Sequence, residues 1–203
     1  YKVGEYGQGN GGTNTGDGLR RAYYLHNGFM TTMNIDTNTQ VHHYMILLID
    51  GESTFEVKNG VWKKKTSFFR TYWEFESSTK EPIYYLLSGN IKNYTSKNSY
   101  SSKPSITYAI TGDGSNYVGN SYIDKVGTLI KGFNSGNGIK SYLIGYANSL
   151  GNSLNSIGNS IGTDNNSRYK YDDSNFNLDE IFKNIANDII ADFWLAAGPQ
   201  IMK

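Results

Sequence analysis

The chain has 203 residues and a formal net charge of +1, only 18% of its residues are charged, and none is cysteine. That excludes disulfides, thiolate catalysis and Cys-ligated zinc. The interspersed charges hold no long basic block of the kind that marks a nucleic-acid or membrane-surface partner, and no apolar run approaches the roughly 20 residues of a membrane span.

Length predicts a single domain with one sizeable core. The abundance of Asn, Ser, Gly and Tyr leans toward an extracellular surface protein, and the opening at Tyr1 without Met is read as a processed fragment. Residues 1–14 are Gly-rich and without hydrophobic period, so a loop is expected. A helix follows, capped by Thr15 or Asp17, with Leu19, Ala22, Tyr23 and Leu25 at helical spacing up to Gly28. Residues 34–40 are polar and turn-like. They deliver the chain to an apolar run at 41–49, predicted as a buried parallel strand, which stops at Asp50-Gly51. In open α/β sheets ligands gather outside the carboxyl ends of such strands, which makes Asp50 a candidate functional residue.

From Thr54 to about Pro104 aromatic and β-branched residues alternate with Lys and Glu, which predicts a β-rich segment with its own aromatic core or an exposed recognition surface. Asn59-Gly60 between two such runs predicts a two-residue hairpin turn. Lys63, Lys64 and Lys65, the only cationic run, read as a solvated turn. A strand is expected at 83–87, a Ser/Asn/Lys loop at 94–103 and a strand at 105–111 ending in Gly112-Asp113-Gly114-Ser115. The spacing of Ile123, Val126, Leu129, Ile130 and Phe133 predicts a helix over 122–133. A second apolar strand is expected at 139–146, a helix at 150–161 and a short strand at 168–171. Asn177-Leu178-Asp179-Glu180 forms a capping box, and Leu178, Ile181, Phe182, Ile185, Ile189, Ile190 and Phe193 make an apolar stripe that must lie on the sheet. Strands alternating with helices predict an α/β sheet with helices on both faces.

Two stretches present oxygen donors at the same end of such a sheet: Gly11-Gly-Thr-Asn-Thr-Gly16 at a helix start and Ile49-Asp-Gly-Glu-Ser53 at a strand end. Hard divalent cations take carboxylate, hydroxyl and water oxygens. In combination with IKSYLIGYA and the terminal LDEIFKNIANDI helix, these motifs resemble a von Willebrand factor A (vWA) domain, such as those of bacterial pilus tip and pilus-associated adhesins. The resemblance spans residues 11–53 and about 114–194. It implies a Rossmann-like, mostly parallel sheet with helices on both faces, into which residues 54–112 are inserted. It further implies a metal-ion-dependent adhesion site in which Thr13 and Asp50 ligate Mg²⁺, or Mn²⁺ or Ca²⁺, with Glu52, Thr15 and Ser53 on the ligand-binding rim. The family's Asp-x-Ser-x-Ser motif, at the end of its first strand, does not occur between Tyr1 and Gly12. Asp113 is a competing strand-end acid whose distance to the 139–146 strand suits the family; Asp50 is preferred for its separation from Thr13 and its DGES context.

The function implied is a non-enzymatic, extracellular binding module that takes a protein or host extracellular-matrix ligand, or other pilus subunits. The alternative is a structural pilus subunit with a degenerate metal site. Ser53 lacks a G-x-S-x-G elbow, no Gly-Lys-Ser/Thr follows Gly112, and His26, His42 and His43 lack an H-x-x-x-H pattern, so enzymatic readings have no motif to rest on.

Overall fold

The computed structural model describes residues 13–33, 41–77, 99–103, 108–111, 116–133, 138–146, 150–171 and 178–197. The expected strand at 83–87, Asp113 and the Asn177 cap lie outside the described residues.

Helix α1 (Thr15–Thr32) leads to strand β1 (Tyr44–Ile49). After it come β2 (Glu56–Ser67), β3 (Arg70–Ser77), β4 (Ser99–Tyr100) and β5 (Tyr108–Thr111). Helix α2 (Asn116–Lys131), β6 (Lys140–Gly145), α3 (Gly151–Ile161), β7 (Arg168–Lys170) and α4 (Leu178–Ala197) complete the order. Two sheets result. β1, β6 and β7 form a parallel sheet in that order, while β4-β3-β2-β5 is antiparallel. The chain is thus α/β, with helices packed on a three-stranded parallel sheet.

β6 is the middle strand, and its alternation sorts the core. Leu143 joins α1, α2 and α3 residues such as Leu19, Ile123, Val126, Leu154 and Ile157 on one face. Tyr142 and Ile144 meet Ile181 and Ile185 of α4 on the other. β1 was expected to be buried throughout. Its Met45 and Ile49 are, but Ile46 and Leu48 are exposed, because among the described residues β1 pairs only with β6 and α4 covers mainly β6. The expected α4 stripe is likewise only partly covered: Phe182, Ile190 and Phe193 are exposed.

Polar bonds at the amino ends of β1 and β6 fasten α4 to the sheet. Lys140 Nζ reaches Asp192 at 2.8 Å and Asp188 at 3.0 Å. Tyr142 donates to Asp188 at 2.7 Å and Tyr44 to Asp192 at 3.2 Å. Burial alone would lower the Lys140 pKa, but the bonds from Asp192 and Asp188 outweigh it and hold the ammonium well above its ordinary range. The Tyr142 hydrogen bond holds the Asp188 carboxyl below its usual value.

The expected turn at Asn59-Gly60 is instead the middle of β2. Asn59 pairs with Tyr108 of β5, and Gly60 with Ser77 of β3, so the strand changes partners here. A Cβ on Gly60 would collide with the Glu76 carbonyl and the Phe75 ring, so this glycine serves a close approach rather than a turn. Lys63, Lys64 and Lys65 accordingly lie in a strand, and the turn between β2 and β3 is Phe68-Phe69. The loop expected at 94–103 contains the short strand β4, and α2 begins six residues earlier than the apolar spacing indicated.

At the amino end of β1, His26 Nδ1 and His43 Nδ1 are 3.0 Å apart, and His43 Nε2 is 3.3 Å from Met30 Sδ. Both rings stand edge-on to Phe133. One Nδ1 must donate and the other accept, so only one proton fits between them. Burial lowers the His26 pKa; for His43, burial and then the nearby His26 and His42 do so. The unfolded rings therefore take up protons before the folded ones. Stability should be full above the ordinary value of 6.5 and fall as pH drops through it toward the lower folded values. A pH series of urea midpoints should show this slope, and His26→Asn/His43→Gln should flatten it; an equally steep slope in the double variant would assign it to other groups.

Candidate functional site at the carboxyl edge of the parallel sheet

Thr13 forms an isolated parallel bridge with Ser53, so the start of α1 and the segment after β1 are held together. Thr54 N–H donates to the Thr13 carbonyl at 2.9 Å and Phe55 N–H at 3.3 Å. Ser53 lies between them. Its Oγ accepts from Thr15 N–H at 3.2 Å and donates weakly to the Thr13 carbonyl at 3.4 Å. From the other side α2 presses on Ser53 through Gly119, where a Cβ would land inside the Ser53 carbonyl.

This places the expected residues in different roles. Thr13 and the Asp50-Gly51 turn do come together: a Cβ on Gly51 would stand 3.0 Å from Thr13 Oγ1. Asp50 is exposed, and among the described residues its carboxylate has no salt-bridge partner. Glu52 accepts from Ser153 of α3 at 3.1 Å, which directs at least one of its oxygens along the sheet edge. Ser53 and Thr15 are buried parts of the clasp rather than open rim groups.

The cap of α1 is neither Thr15 nor Asp17. Asn14 caps it, its Oδ1 accepting from Asp17 N–H at 3.2 Å. The Asp17 carboxylate turns inward instead, to Arg20 Nε at 2.9 Å, Arg21 Nε at 2.7 Å and the Tyr122 hydroxyl at 3.4 Å. Arg20 also bonds Tyr122 through its Nε at 3.1 Å. Burial and then the adjacent Asp17 charge push the Tyr122 phenol far above its ordinary pKa, so it stays a neutral donor. The D-x-x-R-R spacing, i to i+3 and i+4, was the sequence sign of this cluster.

Sequence reasoning also passed over two tyrosines. Tyr146 and Tyr171 are the residues immediately after β6 and β7, and their rings stack at 4.7 Å with 6° between planes. Tyr146 N–H donates to the Ile49 carbonyl at 2.7 Å, which sets this aromatic pair on the same sheet edge as Asp50. An exposed acid, a threonine hydroxyl and a tyrosine stack thus share one edge, each at the end of a fixed backbone element.

A hard cation such as Mg²⁺ needs a shell of oxygen donors. Thr13 Oγ1 and Asp50 provide a hydroxyl and a carboxylate, and Thr54 Oγ1 is a buried oxygen without a hydrogen-bond partner among the described residues. Asn14 Nδ2 is orphaned too, but as an N–H donor it favours an acceptor oxygen over a cation. Among the described residues no three His, Cys, Asp or Glu side chains converge on a common point. The set is therefore partial, and by itself falls short of the near-octahedral oxygen shell of Mg²⁺. No helix among the described residues is long and apolar enough to cross a membrane. No family model, characterised protein or solved structure matches the chain.

Proposed function

We propose that the chain is a non-enzymatic binding module of a bacterial surface or pilus protein, of the vWA type, which contacts a protein ligand along the carboxyl edge of its parallel sheet. The observation that carries this reading is the Thr13–Ser53 bridge, which joins two sequence-distant loops and sets Thr13 close to Gly51, beside exposed Asp50, at the edge where α/β sheets bind ligands. Residues 54–112 would then be an insertion in the vWA core, and the antiparallel sheet they carry would supply further contacts. In the metal-dependent form of the proposal Thr13 and Asp50 contribute two oxygens to Mg²⁺, Mn²⁺ or Ca²⁺, which would polarise and hold an acidic group of the ligand. The remaining oxygens would come from water, from the ligand or from outside the described residues.

A second reading, an assembly subunit of a pilus with a degenerate metal site, draws on different observations. The clasp occupies the Ser53 hydroxyl and Ser153 engages Glu52, while Ile46, Leu48, Ile190 and Phe193 offer apolar surface away from the edge. The two separate in one experiment. Binding to a panel of immobilised extracellular-matrix proteins is measured with Mg²⁺ and with EDTA, beside titration calorimetry of Mg²⁺ and Mn²⁺ alone. The metal-dependent module predicts cation heat, and a loss of binding of about tenfold or more in EDTA or on Asp50→Ala, in line with removing a charged contact worth upward of 1.4 kcal/mol. Binding untouched by both changes would sink the edge as the contact site; absence of cation heat would remove the metal.

A further inference from the structure

We propose that the tip of the β2–β3 hairpin is a wedge for an anionic lipid surface. Phe68 and Phe69 form the two-residue turn and are 98% and 101% exposed, with ring centroids 6.4 Å apart. Two-residue hairpin turns favour Asn, Asp and Gly, because these tolerate the left-handed backbone such turns often need. Two phenylalanines there oppose local turn chemistry, and among the described residues they pack only on each other. The hairpin's own packing lies further back, where Trp62 meets Phe75 edge-on at 5.3 Å. Folding therefore does not account for the pair, and a local rule broken without structural gain marks a functional position.

The charges around the tip have one sign. From Lys64 to Trp73 the chain carries Lys64, Lys65 and Arg70 and no acid. Glu74 and Glu76 stand further back, where they pair with Lys65 at 3.9 Å and Lys63 at 2.7 Å. Among the described residues Lys64 and Arg70 have no ion-pair partner. Lys64 stands opposite Trp73 and Lys65 opposite Tyr72, and Lys103 Nζ lies 5.4 Å from the Trp73 ring centre. At about 3.3 Å per residue, Tyr72 and Trp73 lie roughly 10–13 Å behind Phe69. Interfacial elements bury their apolar part about 5–10 Å into the headgroup and acyl boundary, with Trp, Tyr, Lys and Arg at headgroup level. The hairpin has this spacing: two phenyl rings for the acyl boundary, then a belt of cations and amphipathic aromatics. A protein pocket would demand rings held in one orientation, which nothing here provides, whereas a lipid surface demands only an apolar tip and positive flanks. The whole-chain charge of +1 conceals the feature, since it is local to one hairpin end.

The test uses the full chain with extruded vesicles of phosphatidylcholine containing about a third phosphatidylglycerol, a strongly anionic surface, beside phosphatidylcholine alone. Expected is co-sedimentation with the anionic vesicles that weakens as salt is raised. Phe68→Ser/Phe69→Ser should lower partitioning by about tenfold or more, for lost apolar burial. Lys64→Gln and Arg70→Gln should each lower it about fivefold and reduce the salt dependence. All these side chains are exposed, so unchanged circular dichroism and urea midpoints should accompany the losses. Wild-type chain that stays in the supernatant, or a Phe double variant that sediments like wild type, overturns the assignment; a protein that captures the tip while vesicles do not would also do so. The outcome is independent of the Asp50 edge, because none of these residues belongs to it.

Discussion

Asp17→Ala is expected to lower the unfolding free energy by about 3–5 kcal/mol, the usual cost of leaving one charge of a buried pair uncompensated. Arg20 is only 2% exposed, and its counter-charge is Asp17, with the Tyr122 hydroxyl as a neutral partner. Removing the carboxylate leaves a buried guanidinium facing a phenol that is itself kept neutral. Arg21 loses its bond to Asp17 as well, but it is half-buried and can turn to water. Replacing both partners, Asp17→Leu with Arg20→Met, should cost much less than the single change, because no charge is then stranded. Urea unfolding of the three variants measures this, and a single-variant cost below about 1 kcal/mol would place the pair among weak surface bridges instead.

Gly119→Ala is expected to destabilise by about 2–4 kcal/mol, since the added methyl must displace backbone rather than a flexible side-chain end. The displaced group is the Ser53 carbonyl, in the residue that clasps Thr13 to Thr15, so edge geometry and stability should suffer together. Gly18→Ala supplies the contrast. It lies in helix α1, is exposed and has no atom within 4 Å of an added Cβ. Here alanine should stabilise by about 0.5–1 kcal/mol through helix propensity. Thermal melts of the two variants should therefore move in opposite directions; equal shifts would mean that α2 does not rest on Ser53.

The periodic parts of the fold could be read before any coordinates. The apolar run behind β6, Met45 and Ile49 of the run behind β1, the helical spacing of Leu150, Leu154, Ile157 and Ile161, and Ile181 and Ile185 of the α4 stripe became core, because burial is what the period encodes. Asn59-Gly60 misled because a Gly needed for close approach between strands looks like a Gly needed for a turn. The true turn, Phe68-Phe69, carries no turn residue at all, so local chemistry could not reveal it. At the candidate edge, Thr13 and Asp50 were visible as helix-start and strand-end residues. The inward turn of Ser53, the engagement of Glu52 by Ser153 and the stacking of Tyr146 on Tyr171 depend on contacts between elements far apart in sequence. No single-sequence period reports such pairings.

The clasp around Ser53 has a kinetic consequence. The backbone of the edge is tied by Thr13, Thr15 and Gly119 before any partner arrives, so little chain entropy remains to be lost on docking. Partners of the edge should then associate at similar rates, near those of rigid pre-organised surfaces, and selectivity among them should appear in how long each complex lasts.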